Sequence, residues 1–268
     1  YQLTATPEVY ASDTSNQFDI TSKILTATIG VDNKVYDGTV DAIINSRTPI
    51  GAVFFDILTL SGGTAVFSDR DIGVGKTVNA FGIVLEGDNK DNYIYDGTAT
   101  TTADITTRPI TVTAVTDTKV YDGNTDSSGV PTITLGSLAA GDTVIWTQTF
   151  DTKDVGVGKT LTPSGTVNDG NGGANYAVTF VDDLTGVVNK ATLTVTGITA
   201  NDKVYDNNIS AILNTGGASL VGVIAGDDAT LNSAGATGAF DDENFGVLKT
   251  VFISGLVLNG LDAGNYDL

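Results

Sequence analysis

Cysteine, histidine and methionine are all missing from the 268 residues. Without cysteine there are no disulfides, thiolate nucleophiles or cysteine-based zinc sites. Without histidine the commonest general base and the commonest nitrogen ligand for metals are gone. A chain with neither sulfur residue also has nothing to mis-oxidise in an oxidising compartment, which suits export. Basic residues are scarce, 13 against 32 acidic ones, for a net charge of −19. Such a charge opposes association with phosphate backbones and anionic membrane surfaces, so no nucleic-acid partner is expected. No apolar run approaches the roughly 20 residues of a membrane span, and no membrane insertion is expected. The N-terminus shows no basic stretch leading into an apolar one, so no signal peptide is read there. No apolar period near 3.6 residues is sustained anywhere, which removes long amphipathic helices.

What the sequence does have is repetition. KVYDGT at 34–39 returns as KVYDGN at 119–124 and KVYDNN at 203–208. A second marker follows each: VFSDRDIGVGKT (66–77), TFDTKDVGVGKT (149–160) and AFDDENFGVLKT (239–250). A third is Asn-Tyr, at 92–93, 175–176 and 265–266. From Lys76 to Tyr93, Lys159 to Tyr176 and Lys249 to Tyr266 the step is 17 residues each time, so a fixed structural segment is expected there. The first-to-second spacing varies, as surface loops do. The expected division is residues 1–22 as the tail of a preceding repeat, 23–107 as repeat 1, 108–189 as repeat 2 and 190–268 as repeat 3, the last without its final strand segment. The chain reads as a fragment cut at a repeat boundary.

Strand signals fill each repeat. Leu193 and Val195 alternate with Thr192, Thr194 and Thr196, and Val144, Trp146, Gln148 and Phe150 share one face of another segment. Such alternation marks a sheet with one buried and one wet face. Asp-Gly and Gly-Gly pairs supply turns between the strands. Gly82 and Gly255, each five residues after the marker threonine, predict a bulge or a close backbone approach. The expected fold is all-β, small β-sandwich or β-grasp-like modules in tandem. With a single strand-like segment joining them, the interfaces between modules are expected to be short and the arrangement an elongated rod.

Gly-Lys-Thr at 75–77 and 158–160 suggests a phosphate-binding loop. That loop needs a further glycine five residues before its Gly-Lys-Thr glycine and a helix after it. Arg70 and Lys153 stand where that glycine belongs, strand-like residues follow, and Leu248 replaces the loop glycine in the third copy. Lys76, Lys159 and Lys249 are therefore expected to be structural. Lys34, Tyr36 and Asp37, with Lys119, Tyr121 and Asp122 and with Lys203 and Tyr205, offer acid–base side chains. Their threefold occurrence favours a strand end where tyrosine packs and Asp-Gly turns the chain. Tyr95-Asp96-Gly97 repeats the letters out of register and is read as coincidence. Tyr93, Tyr176 and Tyr266 are expected as core aromatics, with the asparagine before each bonding nearby backbone. The acidic run Asp241-Asp242-Glu243 is the candidate for a loop-bound calcium, carboxylate oxygens being the ligands that ion prefers. It lacks EF-hand spacing, with Phe245 where the third ligand should fall. No other cofactor and no catalytic residue is expected, and the chain is read as non-enzymatic.

The three markers, followed by the I-T-x-[KR]-x-[IL]-T-V-T join, resemble the YDG/MBG-type repeats of bacterial filamentous-haemagglutinin-like surface adhesins. The resemblance covers Lys23 to Leu268. It implies mostly-β modules exported to the cell surface, acting in adhesion or as stalk spacers, with neighbouring repeats and a host, cell or matrix surface as partners. It supplies no catalytic residue. A rival reading is a glycan-binding module using aromatic faces such as Trp146 with nearby acidic residues.

Overall fold

Threonine-rich alternation produces strands almost throughout residues 19–268, the part of the chain that the computed structural model describes. Besides strands and turns there are two single-turn 3₁₀ segments, Lys90–Asn92 and Ala263–Asn265, each leading into a marker tyrosine. No helix among the described residues is long and apolar enough to cross a membrane. The proposed tail, residues 1–22, lies mostly outside the described range.

The invariant 17-residue step spans the strand that carries or follows the marker lysine and the turn that brings the chain to the marker tyrosine. The returning strand lies beyond it, at Ala99–Thr106 in repeat 1 and Asp183–Asn189 in repeat 2. In repeat 1 the sheet order is Lys34–Val35, Ala99–Thr106, Gly73–Glu86, Thr59–Phe67, Asp41–Ala42. Repeat 2 follows the same plan with Thr118–Val120, Asp183–Asn189, Gly156–Asn168 and Thr143–Phe150. In both, the first-marker strand lies parallel to the strand that ends the repeat: Lys34 faces Ile105 and Lys119 faces Val188. Beginning and end of a repeat are thus neighbours in one sheet. The central hairpin is antiparallel, Phe67 opposite Val78 and Phe150 opposite Leu161, and all four of these side chains are buried.

The strand glycines answer to close approach. Across the hairpin of repeat 1, Gly63 and Gly82 fall opposite each other between the Gly62–Ile83 and Thr64–Phe81 pairs, both at positive φ, and the register is unbroken, so there is no bulge. A Cβ on Gly63 would stand 2.7 Å from the Ile83 side chain and one on Gly82 would meet nothing within 4 Å, whereas at Gly255 the expected close approach is found, a Cβ there falling 2.2 Å from the Gly235 carbonyl. Gly165 holds the corresponding place in repeat 2, opposite Trp146, where a Cβ would come within 2.6 Å of the indole ring. Glycine is the only residue that combines such a backbone with no side chain.

By contact density the chain divides into two compact units, residues 1–108 and 109–268. Repeats 2 and 3 therefore belong to one unit. This corrects the expectation of short interfaces, at least for that pair: Ala114, Tyr121, Phe150, Leu161 and Val188 of repeat 2 form a single buried cluster with Leu193 and Tyr266 of repeat 3. A fully buried side chain of this kind contributes roughly 1.5–3 kcal/mol relative to exposure. The cluster couples the two repeats as a domain core does.

Candidate functional site

The first marker is a lysine-closed turn. Lys34 Nζ donates to Asp37 Oδ1 (2.8 Å) and to the carbonyls of Thr39 and Asp41 (2.9 Å each). Lys119 reaches Asp122, Asn124 O and Asp126 O, and Lys203 reaches Asp206, Asn208 O and Ser210 O. Each ammonium also lies over the ring of the second marker's phenylalanine, Phe67, Phe150 or Phe240, at 5.4–5.7 Å. Charge-assisted bonds and the cation–π contact together explain why these two distant markers occur as a pair. The residue after the marker aspartate turns through positive φ: Gly38 (84°), Gly123 (81°) and Asn207 (60°). Asparagine is the usual non-glycine occupant of that region. The out-of-register Tyr95-Asp96-Gly97 makes the same turn, with Thr98 N donating to Asp96 Oδ1 (2.9 Å) as Thr39 N does to Asp37 (2.8 Å), so its likeness has a structural cause.

The second marker's lysine closes its own loop. Lys76 bonds Asp69, Lys159 bonds Thr152 Oγ1 (2.6 Å) and Lys249 bonds Asp242 and Asp241. Its stem folds back over the glycine three residues earlier: a Cβ on Gly73, Gly156 or Gly246 would meet that stem at 3.1, 3.0 and 2.9 Å. Strand follows directly in all three copies, at Gly73–Glu86, Gly156–Asn168 and Val251–Ser254. No helix N-terminus faces a phosphate here, and the loop takes its form from the lysine it contains.

The marker tyrosines do more than fill the core. Tyr93 OH donates to Asp56 and accepts from Val53 N (2.8 Å). Tyr176 OH pairs in the same way with Asp142 (2.6 Å) and Ala139 N (2.7 Å), and Tyr266 OH with Asp227 (2.6 Å) and Ile224 N (3.0 Å). Between repeats 2 and 3 this local device becomes a clamp. Tyr121 OH, from the first marker of repeat 2, donates to the same Asp227 oxygen (2.7 Å), and Lys153 Nζ reaches its other oxygen (3.0 Å). The two tyrosine rings meet edge to face at 5.4 Å. Asn265 extends the join, accepting from Val155 N (2.9 Å) and donating to Asp154 (3.3 Å). Ile224 seats against Gly123, where a Cβ would stand 2.9 Å from its methyl. The glycine of the Tyr-Asp-Gly triplet thus serves both turn and junction.

Electrostatics follow from this geometry. The two tyrosine hydroxyls, and then the Lys153 ammonium, hold the Asp227 carboxyl below its ordinary 3.8 against the opposing effect of burial. Burial, then the negative charge of Asp227, pushes Tyr266 up to about 12. Burial and Asp227 raise Tyr121 too, and Asp227 with Tyr121 raises Lys153. Every proton in the cluster is held where it is at neutral pH. That suits a fastener and leaves no group poised to exchange one.

Tyr205, expected to pack at a strand end as Tyr121 does, is 61% exposed and lies in no strand, and sequence reasoning missed Asp227, Lys153 and the reach of Asn265. Lys153 had counted only as evidence against a phosphate loop, and Asn265 was expected to bond its own neighbourhood. The calcium candidates are brought elsewhere: Asp241 and Asp242 both turn to Lys249, and no group of three carboxylates converges among the described residues. Trp146, proposed as a ligand-facing ring, is 7% exposed and packs edge-on against Phe180 at 5.8 Å, so it offers no open face.

Strand-built units repeated in tandem, with their marker residues spent on turns and on a joint, define an all-β tandem-repeat protein. The family model of the YDG domain matches residues 21–103, 106–185 and 189–268, and the chain belongs to that family. No curated protein and no solved structure matches it.

Proposed function

We propose that the chain is part of an extracellular bacterial adhesin in which tandem YDG repeats act as a load-bearing stalk and contribute to surface attachment. One observation carries this reading: the side chains most capable of chemistry, the marker lysines, tyrosines and aspartates, are engaged in closing turns or joining repeats. A stalk needs stable modules and resistant joints. The caged lysines supply the first and the Tyr121–Asp227–Tyr266 cluster the second. Many such modules in a row hold a binding tip away from a cell and add weak contacts through avidity. The absence of sulfur residues and the net charge of −19 suit an exposed, oxidising location. The same engagement of side chains supports a non-enzymatic role. The glycan-binding alternative loses its anchor with the burial of Trp146.

The test is antibody labelling of intact source cells, paired with attachment assays on a strain lacking the gene. Surface labelling and reduced attachment are expected. Labelling seen only after permeabilisation removes the extracellular reading, and surface labelling with unaltered attachment removes the adhesive one.

A further inference from the structure

The loop that each marker tyrosine pins is built alike in all three repeats. Val53-Phe54-Phe55-Asp56, Ala139-Ala140-Gly141-Asp142 and Ile224-Ala225-Gly226-Asp227 each meet the tyrosine hydroxyl with a backbone N–H at the first position and a carboxylate at the fourth. The third residue is left-handed every time, at φ 78° for Phe55, 91° for Gly141 and 97° for Gly226. The two middle residues face solvent in every copy: Ala140 and Gly141 are exposed, and Ala225 and Gly226 stay exposed although Ile224 beside them packs into the junction. Repeat 1 puts two phenylalanines at these positions, 83% and 88% exposed, with their rings edge to face at 4.3 Å.

Neither the turn nor the core asks for these rings. A bulky residue at positive φ is strained where glycine is not, and local rules broken at an exposed turn point to function. Ile50, Val53 and Ile57 around the rings are exposed as well, so the loop forms one apolar knob. Rings so exposed stand out from the surface and enter a partner rather than receive one. The knob has no polar side chain free for directed bonds, because its single carboxylate, Asp56, is tied to Tyr93. The turn 86–91 adjoins it, with Asn89 Oδ1 accepting from Ile57 N (3.4 Å), and carries Glu86, Asp88 and Asp91 against one cation, Lys90, which leans to Asp91 (3.8 Å).

We propose that the Phe54–Phe55 turn is a membrane-contact site that seats its two rings in the interfacial layer of a zwitterionic, phosphatidylcholine-type bilayer. This is contact from one side, unlike the spanning run that the sequence lacks. The proposal rests on the attachment role given above and names the surface attached to. Exposed aromatic and aliphatic side chains gain from apolar surroundings of any shape, and a bilayer supplies these without the directed bonds that the knob cannot make. A protein pocket would instead present polar groups at its rim for such bonds. The neighbouring carboxylates repel an anionic lipid surface, whereas they and the ring faces suit the choline ammonium.

Flotation of the 268-residue chain with phosphatidylcholine vesicles tests this. Binding is expected, and it weakens when phosphatidylserine is mixed into the vesicles. Phe54→Ala combined with Phe55→Gly copies the Ala-Gly of the other repeats, keeps the turn and lowers vesicle affinity at least about tenfold. Circular dichroism in urea should show no loss of stability in that variant, since glycine relieves the left-handed strain. Phe54→Trp keeps the affinity, and its added emission shifts to the blue on vesicles, whereas the unaltered chain, with Trp146 buried, shows no shift. No binding to phosphatidylcholine overturns the proposal, as does binding that the double change leaves intact, tighter binding to the anionic vesicles, or Phe54→Trp emission that does not move. Self-association without vesicles that the double change abolishes assigns the turn to a second copy and overturns it too. Because purified chain and lipid are used, a negative result leaves the labelling and attachment tests on cells standing, and failure of those tests leaves the vesicle result as measured.

Discussion

Replacing Tyr121 with phenylalanine removes one hydroxyl and leaves the ring stacked edge-on against Tyr266. The lost bond runs 2.7 Å to an aspartate whose side chain is 4% exposed. Hydrogen bonds to charged groups are worth about 1.5–3 kcal/mol. Asp227 keeps Tyr266 and Lys153 as donors, so the carboxylate is not orphaned, and the lower end of that range, about 1.5 kcal/mol, applies. The loss falls on the coupling between repeats 2 and 3. Trp146 is the only tryptophan and lies in repeat 2, so its fluorescence follows that repeat directly. With a urea dependence of about 2 kcal/mol per molar, the midpoint drops by about 0.7 M. Tyr205→Phe, the equivalent change at the exposed copy, leaves the midpoint where it was. An unaltered midpoint in Tyr121→Phe, or an equal drop in both variants, refutes the assignment of that bond to the junction.

Three further outcomes follow from the same geometry. Leu248 stands at φ 55° where the other copies have Gly75 and Gly158, and its side chain is fully exposed. Leu248→Gly removes a left-handed penalty of about 1–2 kcal/mol and costs about 0.5–1 kcal/mol in chain entropy, so calorimetry should show stabilisation by about 0.5–1 kcal/mol. Lys119→Met strips three partners from its turn and the cation over Phe150, and is expected to lower stability in urea by about 1–3 kcal/mol. The junction is also bounded by pH. The folded Asp227 is depressed below 3.8, so its contribution is present above that value and vanishes as pH falls through the lower folded value; the stability gap between wild type and Asp227→Asn should close there. Tyr266 is raised to about 12 from 10.0, so its contribution is whole below pH 10 and is lost as pH climbs through about 12; a late tyrosinate absorbance step should disappear in Tyr266→Phe.

What the sequence made legible was local. A fixed 17-residue step meant a strand and the turn after it, Asp-Gly meant a turn, and alternation named the inward face of Thr143–Phe150 correctly. Each of those signals depends on residues close in the chain. The clamp was hidden because its members act across repeats. Asp56, Asp142 and Asp227 hold one role, yet they precede their tyrosines by 37, 34 and 39 residues, so no constant spacing flags them. The shared signal is subtler, an aspartate three residues after the backbone N–H that the tyrosine oxygen accepts from. Lys153 looked like a loop residue because its partner lies 74 positions away. Trp146 misled for the opposite reason: a lone tryptophan on an alternating strand reads equally well as ligand platform or core, and Gly165 opposite it makes the room that buries it.

The central claim is that repeats 2 and 3 are fastened rather than strung together. With no native cysteine, spin labels can be placed singly at Ile145→Cys in repeat 2 and Phe252→Cys in repeat 3, both exposed positions. Double electron–electron resonance between them should give one narrow distance distribution that broadens when Asp227→Ala is added. A distribution already broad in the otherwise native chain, and indifferent to Asp227→Ala, contradicts the account.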